Sequence, residues 1–267
     1  MFLRLLVIET RKTLQHPALW SGIGALIFLL AFITLIEHTQ VANGFQPASA
    51  GLDQDLLTGL TYFSWIGVLV YAVTASVITA FDYPDRSIQL WPCRGVPRST
   101  LLFARLAVTL FFGLLMVVIA FIAILGLASL SRLILFGSVN ASNLNPAALL
   151  PAILRVFWAA LPYLALTVLF AVISRSPLFA AGGTIVYGTV LEPLLARLAN
   201  RFPNLVPYLP AQLAQVLQMH NLALNRLALP LDAALMPEAR AILAIGLIFI
   251  ALGAISLAIF SRQDLGG

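Results

Sequence analysis

The sequence predicts an all-α integral membrane protein with six membrane-spanning helices, on three observations. Charged residues make up only 9% of the 267-residue chain, against roughly 25% in ordinary globular proteins. Mean hydropathy is +1.00. Six runs contain no Asp, Glu, Lys or Arg: Trp20–Ile36, Tyr62–Phe81, Leu106–Leu130, Val156–Ser174, Ser176–Leu191 and Ala241–Phe260. A hydrocarbon layer of about 30 Å needs about 20 apolar residues per helix. One charge at the centre of such a helix costs about 2.5–3.5 kcal/mol, so avoidance in all six runs argues against a soluble core. Helices are expected because backbone groups in lipid must bond within their own segment. The ten-residue alternating segments of a membrane barrel are not visible.

Before the first run, Leu3, Leu6, Val7 and Leu14 fall on one stripe at helical spacing, which predicts an interfacial helix over 1–18. The first apolar run is longer than the 7–15 residues of a signal peptide core, and Ala48-Ser49-Ala50 lies far beyond its end. The segment is therefore expected to be retained. Pro162 in the fourth run and Gly182-Gly183 in the fifth are expected to kink or closely pack their helices. The fifth run is the shortest and meets Glu192-Pro193, so it is expected to be tilted, short or broken. In 192–240, six prolines separate short pieces, and Leu213, Val216, Leu217, Leu224 and Leu227 lie near helical spacing. Short extracytoplasmic helices between the fifth and sixth spans are expected there. His16, His38 and His220 lack partners at ligand spacing and read as structural, with no metal site.

Lys and Arg in short connections stay cytoplasmic. With the N-terminus inside, the inner segments hold nine cations: Arg4, Arg11, Lys12, Arg86, Arg94, Arg98, Arg105, Arg175 and Arg262. Four carboxylates oppose them: Glu9, Asp82, Asp85 and Asp264. The outer segments hold six cations and six carboxylates. Both termini are therefore expected in the cytoplasm. The net charge of +5 needs no nucleic acid, because anionic membrane lipid is sufficient partner for cations along one face. Cys93 is the only cysteine, so no intrachain disulfide can form.

The one sizeable inner connection, 82–98, is patterned. Asp82 can cap a helix and Pro84 suits its first turn. A short helix over 84–91 would set Ile88 and Trp91 together, and Pro92 would stop it. Cys93-Arg94-Gly95 reads as a turn in which Gly95 is free to take positive φ. Pro97 then starts the helix that carries Arg98 and Arg105 into the third run. A topology anchor needs cations, but not a capped helix with an apolar face. Exposed apolar side chains on such a helix suggest docking into a partner's groove.

The stretch "DRSIQLWPCRGVPRSTLLFARL" resembles the cytoplasmic loop of ABC transporter permeases of the type-2 exporter superfamily. Asp82, Ser87, Leu90, Val96, Arg98 and Arg105 match that pattern in order. The family usually has Glu at 82, Gly-Thr at 86–87 and Lys at 105. Glu9, Lys12, His16-Pro17 and Trp20 resemble the family's amphipathic elbow helix and its proline-aromatic step into the membrane. "FSRQDL" at 260–265 resembles its terminal motif. The resemblance implies a permease that pairs with a second copy or a sister permease and with two separate cytoplasmic ATPase chains, which would hold ATP and Mg. On that reading 82–98 is the coupling segment. Ile88, Leu90 and Trp91 dock; Asp82, Asp85, Arg86 and Arg98 set register through charge; Pro92 and Gly95 stiffen the turn; Ser87 belongs to the same interface. In similar permeases the segment after the fifth span partly re-enters the membrane.

The chain has no G-x-x-x-x-G-K-[ST] loop, and its only lysine is Lys12. It also lacks G-x-S-x-G, H-E-x-x-H and paired-cysteine signatures. A single transmembrane domain over 1–267 is expected, without an ATP site or bound cofactor of its own, in a cell membrane and by the resemblance a bacterial inner one. A lipophilic or amphipathic cargo suits runs without ionisable residues. The alternative is a non-transporting helical anchor or assembly subunit, which explains the runs but not the patterned inner connection.

Overall fold

The computed structural model describes residues 2–42, 52–83, 95–137, 139, 146–197, 206–223 and 236–263. Among them the chain is 93% helical with no strand, and six helices are long and apolar enough to cross a membrane. In chain order, α1 is Phe2–Gln15, α2 Pro17–Ala42 and α3 Leu52–Ala80. Next come α4 Arg98–Phe136, α5 Pro146–Ser174 and α6 Pro177–Val186. A π-helical turn, Tyr187–Leu191, joins α6 to α7 at Glu192–Arg197. After a 3₁₀ turn at Val206–Tyr208 come α8, Pro210–Ala223, and α9, Glu238–Arg262.

The spans are α2, α3, α4, α5, the continuous α6–α7 unit, and α9. Each is longer than the uncharged run that predicted it, and in α3, α4, α5 and α9 charges near the helix ends are paired across helices rather than excluded. Arg132 of α4 donates to Asp55 of α3. Arg155 of α5 donates to Glu238 of α9 at 2.6 Å.

The second and fourth spans form the centre. Their apolar windows are each 67% buried, against 17% for the first, fifth and sixth spans. The largest core cluster joins Leu56, Leu60 and Phe63 of α3 to Phe112 and Met116 of α4 and Leu164 of α5. Leu213 and Leu217 of α8 belong to the same cluster, as their spacing predicted; Leu224 and Leu227 lie outside the described residues. On the outer spans, Phe28, Phe32, Leu178, Phe179, Leu243 and Leu247 turn away from the protein. That much exposed apolar surface is unfavourable in water and natural against lipid.

Helix ends follow local chemistry. Pro17 cannot continue α1, having no N–H to donate. His16 bridges the break: its amide bonds the Thr13 carbonyl at 3.1 Å, and its Nδ1 accepts from the Ala18 amide at 3.1 Å. Trp20 Nε1 donates to the Leu14 carbonyl at 2.9 Å, bracing the corner. Between the fourth and fifth spans, Arg175 takes φ +54, and the Ser176 hydroxyl accepts from the Phe179 amide to cap α6. On α1 most of the predicted stripe faces outward: Leu3 and Val7 are 75% and 67% exposed and Leu14 is exposed as well, while Leu6 is partly buried against the core. The inward face is Leu5, Glu9 and Thr13.

Candidate functional site

Residues from four separated parts of the sequence meet at one end of the bundle. Arg105, on the third turn of α4, is 1% exposed and the largest fully buried side chain. One of its terminal nitrogens donates to the Thr79 carbonyl at 2.8 Å, and the other donates to the Asp82 carboxylate. Its Nε lies 3.7 Å from Glu9 Oε1 of α1. Lys12 Nζ, one turn further along α1, donates to the other oxygen of Asp82. Two cations and two carboxylates thus form a neutral cluster that locks α1, the end of α3 and the start of α4 together. Opposite charges at this burial must be matched, since several kcal/mol of solvation is lost per ion. A planar guanidinium donates to two acceptors from separate nitrogens and still keeps its charge beside Glu9.

Around this cluster, Leu5, Val96, Leu101, Leu102, Val172 and Phe260 form a second apolar core. Tyr83 packs against it, and burial raises its phenol above the usual value despite the opposing Arg105 and Arg175 guanidiniums. Arg98 opens α4 and donates to the backbone carbonyls of Gln263 and Ser261. Gln263 in turn donates to the Val172 carbonyl at 2.7 Å. The end of the sixth span is therefore held by the residue that begins the third.

Of the predicted site residues, Asp82, Gly95 and Arg98 are described. Gly95 takes φ +74, the left-handed conformation expected of the turn. Asp82 and Arg98 both engage partners within the chain, so the two ends of the intervening segment are anchored. Asp85, Arg86, Ser87, Ile88, Leu90, Trp91 and Pro92, with the predicted helix over 84–91, lie outside the described residues.

A second feature lies toward the opposite end and was missed in the sequence. A cavity of about 580 Å³ opens among α3, α5, the α6–α7 unit and α8. Glu192 lines it, 1% exposed. Tyr163 Oη donates to Glu192 Oε2 at 2.8 Å, and the Ala211 amide at the start of α8 donates to Oε1. The π turn aims this carboxylate. In a regular α-helix the Pro193 ring would crowd the carbonyl of residue 189, and the wider turn relieves that clash, with the Glu192 amide bonding the Tyr187 carbonyl instead. The fifth span, which Glu192-Pro193 led one to expect short, tilted or broken, thus runs on without a break through a π turn to Arg197. Gly183 packs against the Phe170 ring, which a Cβ would approach to 3.0 Å, while Gly182 faces open space. The sequence signal for the site is a Glu-Pro pair closing a short, glycine-containing apolar run.

Beside the cavity, Arg155 forks onto Glu238 through Nε at 2.6 Å and a terminal nitrogen at 3.1 Å. Its remaining nitrogen donates to Asn221 Oδ1 at 3.1 Å, tying α5, α8 and α9. Arg155→Lys should lower the unfolding free energy by about 1–3 kcal/mol, because one ammonium cannot reproduce three directed bonds among half-buried partners. Chemical denaturation in detergent, followed by tryptophan fluorescence, measures it, and a midpoint equal to wild type would contradict the assignment. His220 bonds the Val216 carbonyl through Nδ1 at 2.8 Å.

Six membrane-length helices with apolar outer faces define a multi-pass helical membrane protein. The family model described as ABC-2 family transporter protein matches residues 5–191. That is well over half of the chain, which therefore belongs to the ABC-2 transporter family, the membrane component of such transport systems. A comparison with curated proteins found no match. Glu9, Lys12, Asp82, Arg98 and Arg105 all lie inside the matched region; Glu192 and α8 lie just beyond it.

Proposed function

We propose that this chain is the permease subunit of an ATP-driven exporter, moved by separate cytoplasmic ATPase chains that bind at 82–98. The observation carrying this reading is the anchoring of both ends of that segment. Asp82 is tied to α1 and α4 through Lys12 and Arg105, and Arg98 is tied to the end of α9. On this reading a force on the segment passes through these two anchored ends into three spans and α1. On this reading both termini and the charge cluster are cytoplasmic, α1 lies along the inner membrane surface, and 192–240 lies at the outer surface. Two permease copies, or this chain and a sister, pair with two ATPases carrying ATP and Mg. Ile88, Leu90 and Trp91 fill the ATPase groove, Asp85 and Arg86 set its register, and Ser87 belongs to the same interface. Closure of the ATPases on ATP shifts the permease between inward-open and outward-open states, through the differential contacts that any such switch requires.

The test is Trp91→Ala in the assembled complex. Loss of a docked aromatic anchor costs 2 kcal/mol or more at typical interfaces, about thirtyfold in affinity. The variant should reach the membrane and purify as wild type, yet lose copurification with the ATPase and ATP-dependent substrate movement in vesicles. Transport at the wild-type rate would remove 82–98 from the coupling path.

A further inference from the structure

We propose that the cavity among α3, α5, the α6–α7 unit and α8 binds lipophilic organic cations, with Glu192 as counter-charge. Its volume of about 580 Å³ lies within the 300–1,000 Å³ of small-molecule sites. Both donors to the Glu192 carboxylate are neutral, a phenol and a backbone amide, so its ionised form is hydrogen-bonded but not neutralised. Among the described residues no Lys, Arg or His forms an ion pair with it. The contrast with the rest of the molecule is direct. Among the described buried or paired carboxylates, Glu9, Asp55, Asp82 and Glu238 each face a cation within 4 Å; Glu37 bonds Tyr62 instead, but it is only partly buried. A carboxylate this buried favours a ligand that brings the missing positive charge, and rejects an anion.

The walls add two further features. Trp65, Tyr71 and Tyr163 line the same space, and aromatic faces attract organic cations. Tyr71 Oη and Gln218 Nε2 are buried, line the cavity and have no partner among the described residues. Such groups are satisfied in most structures, so both are ready for the polar atoms of a ligand. Val68, Val156, Ala159, Ala160 and Ala214 supply an apolar wall for its body. As a substrate class for export this rests on the reading above; as a binding site it does not.

The test uses the full chain in lipid nanodiscs without ATPase, with protein-free nanodiscs as blank. Tetraphenylphosphonium and tetraphenylborate share size and shape and differ in sign. Radiolabelled tetraphenylphosphonium should bind saturably at one site per chain, and tetraphenylborate should not displace it. Glu192→Gln keeps an oxygen for the Ala211 amide and removes the charge; it should weaken tetraphenylphosphonium at least tenfold. Ala214→Trp keeps the carboxylate and fills the space; it should abolish saturable binding. Displacement by tetraphenylborate at similar concentration would overturn the proposal on wild-type protein alone, even if Glu192→Gln failed to fold. Wild-type affinity in a folded Glu192→Gln would reduce Glu192 to a cap for α8. Unchanged binding in Ala214→Trp would place the ligand elsewhere. Because no ATP is present, loss of this proposal leaves the exporter reading standing, and failure of the Trp91→Ala test leaves binding intact.

Discussion

Arg105→Ala should destabilise the folded chain by about 3–5 kcal/mol, the range for breaking a buried ion pair from one side. Removal of the guanidinium strips Glu9 of the one cation near it among the described residues and leaves Asp82 to Lys12. It also frees the Thr79 carbonyl at the end of α3. Arg105→Lys should fall between, since it restores charge but cannot reproduce the forked donation to the Thr79 carbonyl and Asp82. Lys12→Ala should cost no more than about 1 kcal/mol, because Lys12 is 39% exposed and solvent screens its pair. The ordering is the informative result. Unfolding midpoints of the three variants in one detergent would give it, and equal midpoints for Arg105→Ala and Lys12→Ala would show that the cluster does not hold α1, α3 and α4 together.

Gly59→Ala should lower stability by about 1–3 kcal/mol, the usual cost of overpacking. A Cβ at 59 would sit 2.4 Å from Ile124 Cγ2, on the contact between α3 and α4. Ile124 is β-branched, 5% exposed and stiff at χ1, so it cannot swing aside as a long flexible chain would. Ile124→Ala alone should cost about 2–5 kcal/mol through the cavity it leaves. In the double variant each change relieves the other, and the sum should fail by about 0.5–3 kcal/mol. Strict additivity in a thermal unfolding cycle would mean that the two helices do not approach this closely.

Span number was legible because exclusion of charge from lipid acts on every residue of a run, so six runs could be read without any contact. The positive φ of Gly95 and the helical spacing of Leu213 and Leu217 were legible for similar reasons, each being decided within a few residues, whereas the helix expected over 1–18 ends at Gln15, before Pro17. Span ends were not. Asp55 with Arg132, and Arg155 with Glu238, are 77 and 83 positions apart, and each charge reads as the edge of a run until its partner is known. The same limit hid the inner cluster. Glu9, Lys12, Asp82 and Arg105 were each noted for their place in a family pattern, yet nothing local says that they touch. Glu192 was harder still. Counted as one of six balancing outer carboxylates, it is a fully buried one whose hydrogen-bond partners, Tyr163 and the Ala211 amide, carry no positive charge. On α1 the apolar stripe is present, but burial within the protein belongs to the other face, because in a membrane protein an apolar face need not turn inward.

Helix α4 has 39 residues, and at 1.5 Å rise it measures about 58 Å, nearly twice the ~30 Å hydrocarbon thickness. It leans, projects beyond the lipid, or does both. A rod of that length magnifies angle into displacement: pivoting about 10° near Gly95 carries the far tip through about 10 Å. Slight rotation at one membrane face therefore becomes, at the other, a shift as wide as a helix.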